Sequence, residues 1–394
     1  MIARSFASIL SSDNSSRETS LGSAMSSSLH QWTTLRPYVF SSLLVLCFVT
    51  LFFTYSNFEM NFPSFNIFAD RDRQSNCSTE LHHNHTQEIQ VEAVDTEPDT
   101  IVLIWMWPFG VPFELSCSKF NIKKCQLTDD KTLFDKAHGV LIHHRDIHGN
   151  LDNMPMEPRP WFQKWVWYDM ESPANSPLIP ELDDLFNLTS SYRLDSNIPV
   201  PYGHLEPVAP EDESFKMPVK DKLVCWIVSN WNTQYRRVQF YDEMKEHIEI
   251  HTYGNAFGTN VNDQEYTNIV SSCKFYLAFE NSLYQDYLSE KIHMPMKFGT
   301  VPVVMGPSRR NYEDHVPGDS FIHVDDFSTP KELADRLLYL DKNETEYTAY
   351  FDWTNRFKVQ QSSFGTTHAC ETCRYLQRNK GYQAFHGLNK WYWG

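Results

Sequence analysis

Residues 273–291 read CKFYLAFENSLYQDYLSEK: an apolar run fit for a buried strand, then carboxylates, amides and an amine in quick succession. The run Phe275-Tyr276-Leu277-Ala278-Phe279 has no polar alternation, the pattern of a strand covered on both faces as in a parallel sheet. Such sheets bind ligands outside the carboxyl ends of their strands, where loops and helix N-termini gather. Glu280 and Asn281 stand at that end, and Glu290 and Lys291 follow ten residues later. A strand that only supports the fold tends to close with a turn, whereas this one supplies polar groups to a site.

Similar runs flank it. LVCWIVSN (223–230), IEIHTYG (248–254), TVPVVMG (300–306) and SFIHVDDF (320–327) read as strands, with helix-like YRRVQFYDEMKEH (235–247) and PKELADRLLYLD (330–341) between them. IVLIWMW (101–107), GVLIHH (139–144) and KWVWYDMES (164–172) do the same earlier in the chain. The Pro-rich passage VPYGHLEPVAPEDESFKMPVKD (200–221) is the best boundary between the halves. Alternating strand and helix argues for parallel α/β layers in each half.

With 394 residues and 41% hydrophobic content, the chain can bury two domain-sized cores. Its net charge of −16 repels nucleic acid, so a bound anion must be held by a local cluster of bases. The apolar, uncharged run YVFSSLLVLCFVTLFFTY (38–55) is close to the roughly 20 residues of a membrane-spanning helix. Arg4, Arg17 and Arg36 precede it and Glu59 is the first charge after it, which places the N-terminus in the cytosol. Residues 1–37 then form a Ser-rich cytosolic tail and residues 56–97 a lumenal stem, in which His82, His83 and His85 read as solvated linker residues.

Compartment and cysteines agree. Beyond Cys47 and Cys77 there are six cysteines, Cys117, Cys125, Cys225, Cys273, Cys370 and Cys373, an even set for an oxidising lumen that sequence alone pairs in no particular way. The sequons at Asn76, Asn84, Asn187 and Asn343 all lie beyond the span and fit lumenal glycosylation.

A cleft at the strand ends of the second half receives Ser229, Asn230, Arg236 or Arg237, Tyr253, Glu280, Asn281, Glu290 and Lys291. No Gly-rich phosphate loop is present, so a diphosphate would need cationic side chains and helix-terminal amides. Taken one at a time the residues have bland readings too. Glu171 before Pro173 reads as a solvated helix cap, Arg237 and Lys291 as surface bases, and Tyr276 equally as core.

Together, FYLAFENS, YLSEK, GTVPVVMGPSRRNYE and SFIHVDDF closely resemble the donor-binding signature of the Golgi α-1,3-fucosyltransferases. WPFG (107–110), LIHHRDI (141–147), ESP (171–173), VPYG (200–203), LVCWIVSNWN (223–232), IHTYGNAFG (250–258) and LNKWYWG at the end extend the resemblance over residues 98 to 394. It implies an α/β GT-B-type fold of two Rossmann-like domains facing a cleft: an acceptor domain at 98–215, a GDP-fucose domain at 216–360, and a segment 361–394 tied back to the first. It implies a type II membrane protein of the Golgi that moves L-fucose from GDP-β-L-fucose in α-1,3 linkage, with inversion, onto N-acetyllactosamine-type glycans of glycoproteins and glycolipids.

On that resemblance Glu171 is the catalytic base, while Arg237 and Lys291 hold the diphosphate. Glu280, Asn281 and Glu290 lie around the ribose and fucose; Tyr253, Tyr276, Ser229 and Asn230 fall beside the nucleotide. Trp107, His144, Arg145 and Asp146 fall on the acceptor side, where Arg145 implies a Lewis x-type product; an ion pair between Arg145 and Asp146 is the structural alternative. The resemblance also implies a Cys225–Cys273 bridge, with Cys370 and Cys373 bridged to Cys117 and Cys125 in an order it leaves open. A DxD motif is absent beyond the stem, so no bound metal is expected, although a divalent ion could stimulate. A homo-oligomer stays open.

One departure stands out: IHMPMKFGT follows Lys291 where the family has a helix without proline, and Pro295 in a helix interior costs about 3 kcal/mol. The second reading is therefore a catalytically inactive, membrane-anchored relative that binds glycan or nucleotide. It has no need for Glu171, Arg237 and Lys291, all of which are present.

Overall fold

The apolar run at 273–279 is the middle strand of a five-stranded, all-parallel sheet, the second of two such sheets. The computed structural model describes residues 99–394. The expected tail, span and stem, with Asn76 and Asn84, lie outside the described residues; among those described, no helix is long and apolar enough to cross a membrane.

In chain order, the first sheet contains β1 (Thr100–Ile104), β2 (Cys125–Thr128), β3 (Gly139–His143), β4 (Lys164–Asp169), β5 (Leu188–Ser191) and β6 (Ile198–Pro199). They lie in the order β2-β1-β3-β4-β5-β6. After β7 (Gly203–Pro207), the second sheet contains β8 (Lys222–Ile227), β9 (Ile250–Tyr253), β10 (Cys273–Phe279), β11 (Val301–Met305) and β12 (Ile322–His323). Its order is β12-β11-β10-β8-β9. β13 (Phe357–Gln361) returns to pair antiparallel with β7, a two-stranded ribbon where the chain passes between the halves.

Residue parity along β10 shows why the run is apolar throughout. Phe275, Leu277 and Phe279 pack with Val224, Trp226, Val301 and Val303 against α1 (Arg236–Met244) and, further on, α5 (Pro330–Lys342). Tyr276 and Ala278 face the opposite side, against α2 (Asp263–Ser272), α3 (Glu290–Lys297) and α4 (Arg309–Glu313). Full burial of each such side chain stabilises by roughly 1.5–3 kcal/mol. The chain continues through α6 (Glu344–Ala349), α7 (Thr366–Arg378) and α8 (Leu388–Trp393).

The first half corrects the expectation of alternating strands and helices. Its connections hold only short 3-10 turns, for Pro155, Pro158, Pro160, Pro173, Pro177 and Pro180 deny those segments an uninterrupted run of backbone donors. The missing layer comes from the far end of the chain. α7 packs Ala369, Cys370, Cys373 and Leu376 on Val102, Ile104, Leu141 and Val166, while α8 places Leu388 and Tyr392 on the other face with Trp165 and Trp167. Bridges Cys117–Cys370 and Cys125–Cys373 fasten α7, and Cys225–Cys273 joins β8 to β10. The pairing left open by the sequence is thus settled in parallel order.

β2, β5 and β6 escaped the sequence reading because they are short and polar or proline-containing. In β5, Thr189, Ser190 and Ser191 are nevertheless wholly buried, their hydroxyls bonded to Asn197, Ile198 O and Ser196. The strand read over 320–327 shrinks to two residues.

Candidate active site

Carboxyl ends of strands from both sheets meet around a cleft of about 650 Å³. Glu171 reaches it from β4, Ser229 and Asn230 from β8, Asn281 from β10, and Glu290 with Lys291 from the start of α3. Arg237 and Tyr276 complete the expected residues that line it. Gly254, also on the wall, has φ +98° and would drive a Cβ to 2.3 Å from Val228 O, so only glycine lets this loop close against β8.

Glu171 sits two residues past β4 and is itself held through its backbone. Its N–H donates to Asp169 Oδ1 (3.0 Å), its carbonyl accepts from the Tyr392 hydroxyl, and the carbonyl of Met170 accepts from Tyr202. Ser172 is bonded by Ser282 Oγ at 2.6 Å, a contact from the loop after β10. The Pro173–Asn175 turn has Ser172 at its N-cap and no side-chain cap, so the helix-cap reading of Glu171 is not what the geometry gives. Burial, reinforced by the Asp169 charge, pushes the Glu171 carboxyl up to about 7, against the pull of Arg145 and Lys291.

The basic groups lie in the second half. Arg237, in the first turn of α1, is 5% exposed; it donates to Asn230 O and, at 3.5 Å, to Phe279 O, so it straddles the ends of β8 and β10 where the strand order reverses. Its Nε is buried with no protein partner among the described residues. Arg236 points away to an exposed pair with Asp325, which resolves the choice between the two arginines.

Lys291 Nζ is held by Ser289 Oγ at 2.8 Å, Glu280 Oε2 at 3.1 Å and Glu290 Oε1 at 3.4 Å. Burial works against its charge, but Glu280 and Glu290 outweigh that and keep the ammonium protonated above the usual lysine range. Glu280 is not on the cleft wall. It lies beneath, 3% exposed, accepting from Ser289 N and Oγ at 2.8 Å as a negative charge at the N-terminus of α3. Burial raises its carboxyl, countered in part by Lys291.

Pro295 is the sixth residue of the eight-residue α3, so it is inside the helix and past the first turn. It has no N–H to give to the Lys291 carbonyl, yet the cap at Ser289 and its bonds to Glu280 hold the functional end of the helix.

Tyr276 is both core and wall: it is 2% exposed, its hydroxyl lies 3.5 Å from Ile227 O, and burial pushes it up to about 12. Tyr253 is half-buried behind the wall, where its carbonyl accepts from Val228 N. In the first half, Asp146 accepts from Phe109 N at 2.9 Å and lies 2.6 Å from His143 Nδ1, tying the ends of β1 and β3 together. Arg145 donates to Asn175 O rather than pairing with Asp146, and it lies near enough to Glu171 to influence its charge. His144 is wholly buried between Trp167 Nε1 and Pro177 O, and Trp107 packs edge-on against Phe113; both support the loops and do not line the cleft.

Sequence reasoning gave no role to Tyr202, Tyr287, Asp263, Tyr266 and Gln361, which also line the cleft. Asp263 was within reach, since Asn262 and Glu265 form a capping box that marks the start of α2. Among the described residues no cluster of three or more His, Cys, Asp or Glu is placed for a metal ion, and Asp325 and Asp326 pair with Arg236 and Arg309. Of the described sequons, Asn343 caps α6, whereas the Asn187 amide donates to Gln383 O at 2.8 Å and its oxygen accepts from Trp165 N.

Residues 217–391 match the family described as glycosyltransferase family 10 (fucosyltransferase) C-term, and residues 97–203 match fucosyltransferase, N-terminal. The 4-galactosyl-N-acetylglucosaminide 3-alpha-L-fucosyltransferase 9 of Mus musculus is 50% identical over 297 residues, covering 75% of this chain and 82% of that one. The protein of the same name from Homo sapiens is 44% identical over 361 residues, covering 91% and 98%. A crystal structure of alpha1,3-fucosyltransferase with GDP-fucose superposes with a TM-score of 0.49 at 18% identity, over 76% of this chain and 95% of that one. With both halves of the chain matched and such identity to these relatives, this protein belongs to glycosyltransferase family 10 and is a fucosyltransferase.

Proposed function

We propose that the protein transfers L-fucose from GDP-β-L-fucose to the 3-hydroxyl of GlcNAc in N-acetyllactosamine-type glycans, with inversion, through a GT-B-type arrangement of an acceptor half and a donor half. The observation that carries the mechanism is the Glu171 carboxyl, raised to about 7 and lining the same cleft as Arg237 and Lys291.

Inversion needs one displacement and therefore one base. The acceptor O–H gives its proton to the Glu171 carboxylate, its oxygen forms the bond to the anomeric carbon, and the bond to the diphosphate oxygen breaks with its electron pair leaving on GDP. Negative charge then grows on the diphosphate, where the Arg237 guanidinium and the Lys291 ammonium are already fixed in place. A carboxyl near 7 is half ionised at neutral pH and still basic enough to accept the proton. Arg145 is close to Glu171 and bonded to Asn175 O, and we read it as the arginine that contacts the acceptor.

The reading includes a type II anchor at 38–55 that places the cleft in the Golgi lumen. It is tested with the soluble 98–394 fragment, GDP-fucose and N-acetyllactosamine, the product linkage being read by NMR. An α-1,3 product supports it; GDP binding without any turnover would turn the protein into the nucleotide-binding relative.

A further inference from the structure

Behind Glu171 lies a second carboxylate to which the transfer reaction assigns no step. Asp169 is the last residue of β4 and has no exposed surface. Its two oxygens are both engaged by neutral donors: Oδ1 by the Glu171 N–H at 3.0 Å and Oδ2 by the Ser176 hydroxyl at 2.5 Å. These bonds span the loop 170–176, so one buried side chain fixes both the start and the end of the segment that presents the base. We propose that Asp169 is a positioning residue for the reaction, fixing the Glu171 loop through both oxygens and setting, by its unneutralised charge, the pH at which Glu171 becomes a competent base.

The inference rests on Glu171 being that base. The four charged groups around Glu171 come from three places: Asp169 on its own strand, Arg145 after β3, and Glu290 and Lys291 on α3. Arg145 and Lys291 favour the ionised base, whereas Asp169 and Glu290 oppose it, Asp169 being the larger of the two after burial. A negative charge close by in a low-dielectric site disfavours the ionised form of a carboxyl, so the Asp169 charge raises Glu171. Asp169 points inward to Ser176, while Glu171 faces the cleft, so the carboxyl that is raised is the one that meets substrate.

The test is the pH dependence of kcat/KM for wild type and Asp169→Asn, which keeps the shape of the side chain and an oxygen for the Glu171 N–H. The expected result is an acid limb displaced to lower pH by about half a unit or more, with GDP affinity within about twofold of wild type. Asp169→Ser, also neutral and with a hydroxyl to accept the same N–H, should displace the limb in the same direction and serves if the amide variant fails to fold. A folded neutral variant that loses rate with its acid limb unmoved overturns the inference, because a purely structural loss lowers the plateau and leaves the limb in place. Glu171→Gln separates the two readings: wild-type turnover in that variant refutes the base itself, whereas loss of turnover there with an unmoved limb in the Asp169 variants refutes only Asp169.

Discussion

The Lys291 ammonium lies 3.1 Å from Oε2 of Glu280, a carboxylate with 3% of its surface exposed. Glu280 is thus the counter-ion that holds a cleft-lining lysine in place and not itself a wall of the cleft. Removing one partner of a buried pair leaves the other charge uncompensated, at a cost of about 3–5 kcal/mol. Glu280→Ala is expected to lose stability on that scale in urea titration. Glu280→Gln, which retains an acceptor for the Ser289 N–H, should fold and show a raised KM for GDP-fucose with a smaller change in KM for the acceptor.

Glu171→Gln should lower kcat by about 10²–10⁴-fold, the range a positioned general base supplies, with GDP affinity by calorimetry unchanged. The same substitution should raise stability at alkaline pH. The folded carboxyl is raised from 4.5 to about 7, so its contribution is fully present below 4.5 and lost as the pH passes through 7. At about 1.36 kcal/mol per pH unit, the Gln variant should gain at most about 3 kcal/mol over wild type at pH 8, with the gap closing below pH 4.5. A constant difference across that range would contradict the assignment.

For wild type, kcat/KM should rise through a limb centred near pH 7, because the free enzyme must carry Glu171 as carboxylate to accept the proton. A limb near 4.5, the ordinary value, would mean that the site does not perturb this group.

Arg237→Lys keeps the charge but loses the fork that spans Asn230 O and Phe279 O. Charge-assisted hydrogen bonds contribute about 1.5–3 kcal/mol each, so GDP affinity should fall by about tenfold or more. Arg236→Lys, at the exposed pair with Asp325, is the control and should stay within about twofold.

Replacing Cys117 and Cys370 together by Ser should cost about 2–5 kcal/mol, since the bridge closes a span of 253 residues and clamps α7 over the first sheet. Thermal melts of the double variant beside wild type measure it. An unchanged midpoint would mean that packing of Ala369 and Leu376 alone keeps the helix docked.

The strands at the centre of each sheet and the chemistry at their ends were legible in the order of residues. Runs such as 274–281 are unbroken by polar residues because both faces are covered, and the polar groups after them follow from where a parallel sheet places its loops. So was the family, since the matching motifs extend over both halves. Short polar β5 and the ribbon of β7 with β13 were not legible, because their burial depends on distant partners; in the ribbon Gly203 pairs with Gln361, 158 residues away. Local periodicity carries no record of such partners.

Tertiary structure alone decided which polar group does what. Arg236 and Arg237 are adjacent in sequence, yet helical geometry turns one to solvent and the other into the cleft. Glu280 and Glu290 both end near Lys291, but only the chain's path after β10 puts the first beneath the site and leaves the second on its wall. The layer that proline denied to the first half is supplied by α7 from the far end of the chain. The physical reason is common to all three: charge state and role depend on burial and on non-local neighbours, which exist only once the chain has folded.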